Sequence, residues 1–243
     1  MVGIARSLAI YWRPGWQRGL RKLYEPFVGP GDLVFDVGAH LGDRTAAFAA
    51  LGARVVAVEP QPELLPWLRR LVGGRDGVTI RTEAVGRERG TARLAVSESN
   101  PTVSTLARAW RERMARENPT FRDVRWERFL DVHVTTLDAL IEEHGIPRFC
   151  KIDVEGYEAE VLAGLSHAVE AVSLEFVAGG LDVAVACIER LGELGRYRYN
   201  AILGERRRFA LPDWVGPSEI VTWVTAGAAG ASSGDLYARR VET

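Results

Sequence analysis

The feature that most restricts how this chain can fold is a strand–helix rhythm that begins at residue 33. LVFDVG (33–38) is a short apolar run of strand length. DRTAAFAALG follows, with apolar residues at helical spacing and Gly52 as a C-terminal stop. RVVAVEP (54–60) reads as a strand, PELLPWLRRLVGG (62–74) as a helix, and VTIRTEAVG (78–86) and TARLAV (91–96) as strands. The rhythm resumes with TLDALIEEHG (136–145) as a helix, RFCKIDVEG (148–156) as a strand and YEAEVLAGL (157–165) as a helix. AVSLEFV (171–177) is then a strand, LDVAVACIERLGELG (181–195) a helix, YRYNAILGE (197–205) a strand, and EIVTWVTA (219–226) a closing strand. Strands alternating with helices of this length predict an α/β fold: a mostly parallel, doubly wound sheet with helices on both faces.

Three segments fall outside the rhythm. Residues 1–29 read as an amphipathic helical cap, broken at Pro14-Gly15. Residues 30–225 form the main domain, interrupted at 97–130 by a polar, arginine-rich stretch that reads as a helical insertion serving as a lid or substrate wall. Residues 226–243, rich in Gly, Ala and Ser, read as a mobile C-terminal tail. A net charge of -1 over 243 residues gives no general case for nucleic acid or an acidic membrane surface. No apolar run is long enough to span a membrane. Cys150 and Cys187, each in an apolar run, suit a reducing, cytoplasmic setting. Nothing in the pattern fixes an oligomeric state.

The first strand ends in Asp36-Val37-Gly38-Ala39-His40-Leu41-Gly42. A dinucleotide turn would carry G-x-G-x-x-G facing a pyrophosphate, and Asp36 at the strand end would repel one. An acid beside two glycines favours a cationic, phosphate-free ligand, and S-adenosylmethionine fits. Gly38 and Gly42 would let the backbone approach it. Glu59 ends the next strand, 21 residues after Gly38, where an acid can accept from both ribose hydroxyls. Glu83 and Ala84, at the end of the third strand, would lie beside the adenine.

RFCKIDVEGYE places Lys151, Asp153 and Glu155 at alternate positions, hence on one side of a strand. Three charges on an apolar strand are costly to bury unpaired, so they read as a site at its carboxyl end. Asp153 is the leading base, with Lys151 holding it ionised and Glu155 orienting it or binding the acceptor. His133 and His144 are alternative bases. Asp153, Glu155 and Glu175 would suit Mg²⁺ as hard oxygen ligands. Lys151 on the same side argues against a carboxylate cage, and no metal ligand is assigned.

In order, VFDVGAHLGDRT, VVAVEP, EAVG, VTTLDALI and CKIDVEGYEAEVLAGL resemble the FkbM family of S-adenosylmethionine-dependent methyltransferases over about residues 30–178. K-I-D-V-E-G-x-E after T-L-D is the most specific part. The resemblance implies a Rossmann-like methyltransferase fold and methyl transfer, usually to a hydroxyl oxygen of a small-molecule acceptor: a sugar, a polyketide or another secondary metabolite. It implies that Asp36, Gly38, Ala39, His40 and Gly42 form the cofactor turn, that Glu59 contacts the ribose, and that Lys151, Asp153 and Glu155 line the reaction centre. His40 stands where the family commonly has Asn. PTVSTL (101–106) resembles a family loop near the cofactor, which gives Ser104 a contact role. A non-catalytic S-adenosylmethionine-binding sensor or scaffold is the alternative.

Overall fold

The structure is a computed structural model and describes residues 2–241. Met1, Glu242 and Thr243, which belong to the expected cap and tail, lie outside the described residues. In chain order the elements are α1 (Val2–Tyr11), α2 (Trp16–Tyr24), β1 (Leu33–Val37), α3 (Asp43–Ala50), β2 (Arg54–Val58), α4 (Leu65–Val72), β3 (Val78–Arg81), β4 (Ala84–Val85) and β5 (Gly90–Val96). They continue with α5 (Arg108–Glu117), β6 (Arg128–Thr135), α6 (Leu137–His144), β7 (Phe149–Ile152), α7 (Glu158–Ala163), β8 (Ala171–Val177), α8 (Leu181–Leu194), β9 (Tyr197–Leu203), α9 (Pro217–Thr225) and β10 (Ser233–Arg240).

Seven strands form one sheet in the order β3-β2-β1-β7-β8-β10-β9. All pair in parallel except β10, which runs antiparallel to both β8 and β9. All five residues of β1 are buried, as expected of a central strand covered on both faces. Alternation along β1, β2 and β7 sends Phe35, Val37, Val56, Val58, Cys150 and Ile152 to the face covered by α6, α7 and α8. Val34, Val55 and Phe149 face α2 and α3. There Phe149 meets the rings of Tyr24, Phe27 and Phe48 at centroid distances of 5.5–5.7 Å. Full burial of each such side chain contributes about 1.5–3 kcal/mol, so α2 is anchored by its aromatic residues. Trp16 adds a bond from its indole Nε1 to Asp43 at 3.0 Å. A second sheet, β4-β6-β5, stands beside the first and carries the insertion across the ends of the parallel strands.

Four expectations are corrected. Among the described residues, 226–241 are not a mobile tail: Ser233–Arg240 is an interior strand, paired with β8 on one side and β9 on the other. EIVTWVTA is helix α9 rather than a strand. Pro217 opens that helix and the Glu219 carboxylate accepts from the Gly216 amide at 3.0 Å, a terminus signal stronger than the β-branched content. The insertion ends at residue 127, because Arg128 already pairs with Val96 in β6. It is also less helical than expected: α5 is its one α-helix, and short 3-10 turns at Pro101–Val103 and Pro119–Phe121 make up most of its remaining regular structure. Finally, VTIRTEAVG divides into β3 and β4, in different sheets.

Candidate active site

A cavity of about 310 Å³ opens at the carboxyl ends of β1, β2 and β7, within the size range of small-molecule sites. Its wall holds nine carboxylate side chains against two fixed cations, Arg44 and Lys151, so the lining is strongly acidic.

The β1 turn builds one end. Gly38 and Ala39 both donate backbone N–H groups to the Val58 carbonyl at 3.0 Å, tying the turn to β2. The Glu59 carboxylate accepts from the His40 amide at 2.8 Å and the Gln61 amide at 2.9 Å. Burial pushes the Glu59 carboxyl up to about 7 against those two bonds. His40 has φ 51°, a left-handed conformation that Asn and His tolerate better than most residues, which is why His can stand in the place of Asn. Burial lowers its imidazole to about 4, and its Nε2 has no partner.

Gly38 lines the cavity, and packing also requires both glycines. A Cβ on Gly38 would run into the backbone carbonyl of Asp153, and its φ is 79°. A Cβ on Gly42 would press on Leu68 and Val72, and Gly42 lies outside the cavity wall. Gly38 therefore lets the β1 turn and the β7 turn touch. Gly38→Ala is expected to cost about 3 kcal/mol or more in denaturant-monitored unfolding, because backbone clash and positive φ act together. A loss below about 0.5 kcal/mol would show that the two turns are not locked.

Asp36 is fully buried and faces Lys151 across the parallel β1–β7 pair. Thr45 donates to its Oδ2 at 2.5 Å, Lys151 Nζ lies 3.9 Å from its Oδ1, and Oδ1 has no hydrogen-bond partner. Burial raises its carboxyl, with Lys151 and Thr45 opposing. Lys151 Nζ donates to Asp153 Oδ2 at 2.9 Å. Burial tends to raise the Asp153 carboxyl, but the Lys151 ammonium overrides it and leaves it below the usual range.

Glu155 is not a strand residue, which corrects the expected alternation. β7 ends at Ile152, and Glu155 and Gly156 take φ of 55° and 84° in succession. Glu158 Oε1 holds this turn by accepting from the Val154 and Gly156 amides at 3.0 and 3.3 Å. The turn nevertheless returns Glu155 to Asp153, and Glu175 joins them from β8: one carboxylate oxygen of each lies within 4.8 Å of the others. Burial and the neighbouring carboxylates raise both Glu155 and Glu175 well above the carboxylate range.

Insertion residues close the cavity. Ser104 donates to Gln61 Oε1 at 2.9 Å, and Thr105 donates to the Glu155 carbonyl at 2.7 Å. Trp110 is buried against Gly156, Phe121 and Gly180, so it packs the insertion onto the domain. Ala39 and Ala84 line the cavity. Glu83 also reaches the wall, but its carboxylate is held by Arg81 at 2.6 Å. His133 is exposed on β6 and His144 ends α6; neither reaches the cavity. Sequence reasoning did not single out Tyr11, Arg44, Gln61 or Asp235 as site residues. Gln61 follows V-V-A-V-E-P directly and was within reach of the pattern. Asp235 was hidden by the small-residue composition around β10.

The sequence profile of the methyltransferase FkbM domain matches residues 36–186. A hexuronic acid methyltransferase, AglP, of Haloferax volcanii is 28% identical over 181 residues, spanning 71% of this chain and 67% of that protein. Among solved structures, a precorrin-6y C5,15-methyltransferase from Geobacter metallireducens superposes with a TM-score of 0.49 and 12% identity, over 94% of this chain and 88% of the other. A TehB-like methyltransferase from Corynebacterium glutamicum gives a TM-score of 0.48 and 12% identity over 98% and 94%.

Proposed function

The chain belongs to the methyltransferase FkbM-domain family, and we propose that it methylates a hydroxyl oxygen on a sugar, a polyketide or a related secondary metabolite. S-adenosylmethionine is the methyl donor. The cavity suits it: the lining is acidic, and Asp36 Oδ1, Glu175 Oε2 and His40 Nε2 are buried without partners. Glu59, Ala39, His40, Ala84 and Ser104 would hold it, and bound there it supplies an electrophilic methyl group.

The observation that carries the reading is Asp153, kept ionised by Lys151 at 2.9 Å and with 30% of its side chain open at the cavity. An alcohol attacking a methyl carbon becomes strongly acidic as the new bond forms. A carboxylate of low basicity is therefore competent to take its proton, provided it is ionised and in reach. Tyr11 and the insertion residues wall the cavity, where a bound methyl donor and acceptor would displace water. The similarity to AglP, named for a hexuronic acid, supports a sugar-like small molecule. Two buried free thiols support a cytoplasmic setting.

Glu59 gives a pH test of cofactor binding. Ribose hydroxyls donate to its ionised form, so below about pH 7 binding must first remove a proton. Affinity is expected to weaken by up to about tenfold per pH unit below that point, and Glu59→Gln to flatten the profile in calorimetric titrations. Identical profiles in both proteins would remove Glu59 from the ribose. The reaction itself is tested by supplying methyl-labelled S-adenosylmethionine with a panel of hydroxylated metabolites. Label on oxygen with release of S-adenosylhomocysteine is expected; label only on nitrogen or carbon would overturn O-methylation.

A further inference from the structure

We propose that Asp153, Glu155 and Glu175 form a divalent-cation site of the Mg²⁺ or Mn²⁺ type, beside the cavity position assigned above to the acceptor hydroxyl. The proposal rests on that placement of the acceptor.

The three groups come from separate pieces of chain: Asp153 and Glu155 from the turn after β7, and Glu175 from the end of β8. Their oxygens lie within 4.8 Å of one another. In an octahedral Mg²⁺ or Mn²⁺ site with metal–oxygen distances of about 2.1 Å, ligand oxygens are about 3–4.2 Å apart. Side-chain rotation that closes pairs by no more than about 2 Å brings the cluster to that spacing. Glu155 is only 8% exposed, its carboxylate lines the cavity, and it accepts no hydrogen bond from any described residue. Glu175 Oε2 is shielded from solvent and has no partner either. A buried acid that serves only the fold is hydrogen-bonded, as Glu158 is here.

Charge balance points to a divalent ion rather than an ammonium group. Asp153, Glu155 and Glu175 carry three negative charges when ionised. Lys151 supplies at most one positive charge, since its ammonium lies 2.9 Å from Asp153 Oδ2 and 3.9 Å from Asp36 Oδ1. At least two remain to be matched. An alkylammonium would leave one carboxylate uncompensated. Carboxylate oxygens alone, with no sulfur or imidazole within the set, match hard cations. Lys151 does not exclude the ion, because its ammonium lies between Asp153 Oδ2 and Asp36, leaving Asp153 Oδ1 free of it. A hydroxyl oxygen that joins the cation becomes more acidic, which eases the proton loss assigned to Asp153.

The test needs neither acceptor nor methyl donor. Chelator-treated protein is titrated with Mn²⁺ and followed by electron paramagnetic resonance. One saturable site is expected, displaced by Mg²⁺ and weakened at least tenfold in Glu155→Gln and in Glu175→Gln. Thermal melting of both variants identifies any loss due to unfolding, and the wild-type titration stands without them. Absence of saturable Mn²⁺ binding in the wild type up to millimolar concentration overturns the proposal, whether protons or an acceptor ammonium satisfy the acids instead. Unchanged affinity in folded variants overturns it equally. Mn²⁺ binding without methylation of any hydroxyl would defeat O-methylation and leave the metal site standing; methylation unaffected by chelation, with no Mn²⁺ bound, would do the reverse.

Discussion

Asp153→Asn is expected to cut turnover about 10²–10⁴-fold while S-adenosylmethionine affinity stays within about threefold of wild type, the span attributed to a positioned acid or base. The amide is isosteric and keeps the contact with the turn at Gly38, which runs through the Asp153 backbone carbonyl and not its side chain. What it loses is the acceptor for the hydroxyl proton and the charge opposite Lys151. Calorimetry with S-adenosylhomocysteine separates binding from turnover. Near-normal methylation by a folded Asp153→Asn protein would show that the proton leaves by another route.

Lys151→Met should have the largest effect on stability: a loss of about 3–5 kcal/mol near neutral pH, the range for removing one partner from a buried ion pair. Lys151 is 3% exposed and is the only cation close to both Asp36 and Asp153 among the described ion pairs. In the wild type, Lys151 holds the Asp153 carboxyl below its ordinary value. That stability is present above the unfolded-state pKa and is lost as pH falls through the folded-state pKa. In the variant both carboxyls move upward, so the folded state prefers them protonated and recovers stability as pH falls. The gap between the two proteins should therefore narrow between about pH 7 and 4 in urea unfolding. A gap independent of pH would indicate lost packing of the lysine stem rather than unpaired charge.

How much of this was legible in the chain depends on the physics of each segment. β1, β2 and β8 are buried over nearly all their length, and their apolar runs placed the strands to within two residues at either end. Asp36, Glu59 and Lys151 could be placed at strand ends because a charge in the middle of such a run would be buried at high cost, whereas at its carboxyl end it can meet a ligand. β10 could not be found this way. Its sequence, SGDLYARR, gets its place from pairing with β8 and β9, both remote in sequence, and local composition favoured a loop. β6 was likewise masked by the arginines around it. Glu155 shows where period-two reasoning stops: two consecutive left-handed residues, held by Glu158, end the strand before the motif ends. Gly38 was readable as a required glycine, but the partner that requires it, the Asp153 carbonyl, lies more than 100 residues away and appears only in the fold.

The most direct measurement is a crystal structure of this protein with S-adenosylhomocysteine. The ribose hydroxyls should sit on the Glu59 carboxylate and the thioether sulfur should face Asp153 across the β1 turn. A nucleoside bound elsewhere, or a ribose with no contact to Glu59, would contradict the placement of the methyl donor on which the proposed reaction rests.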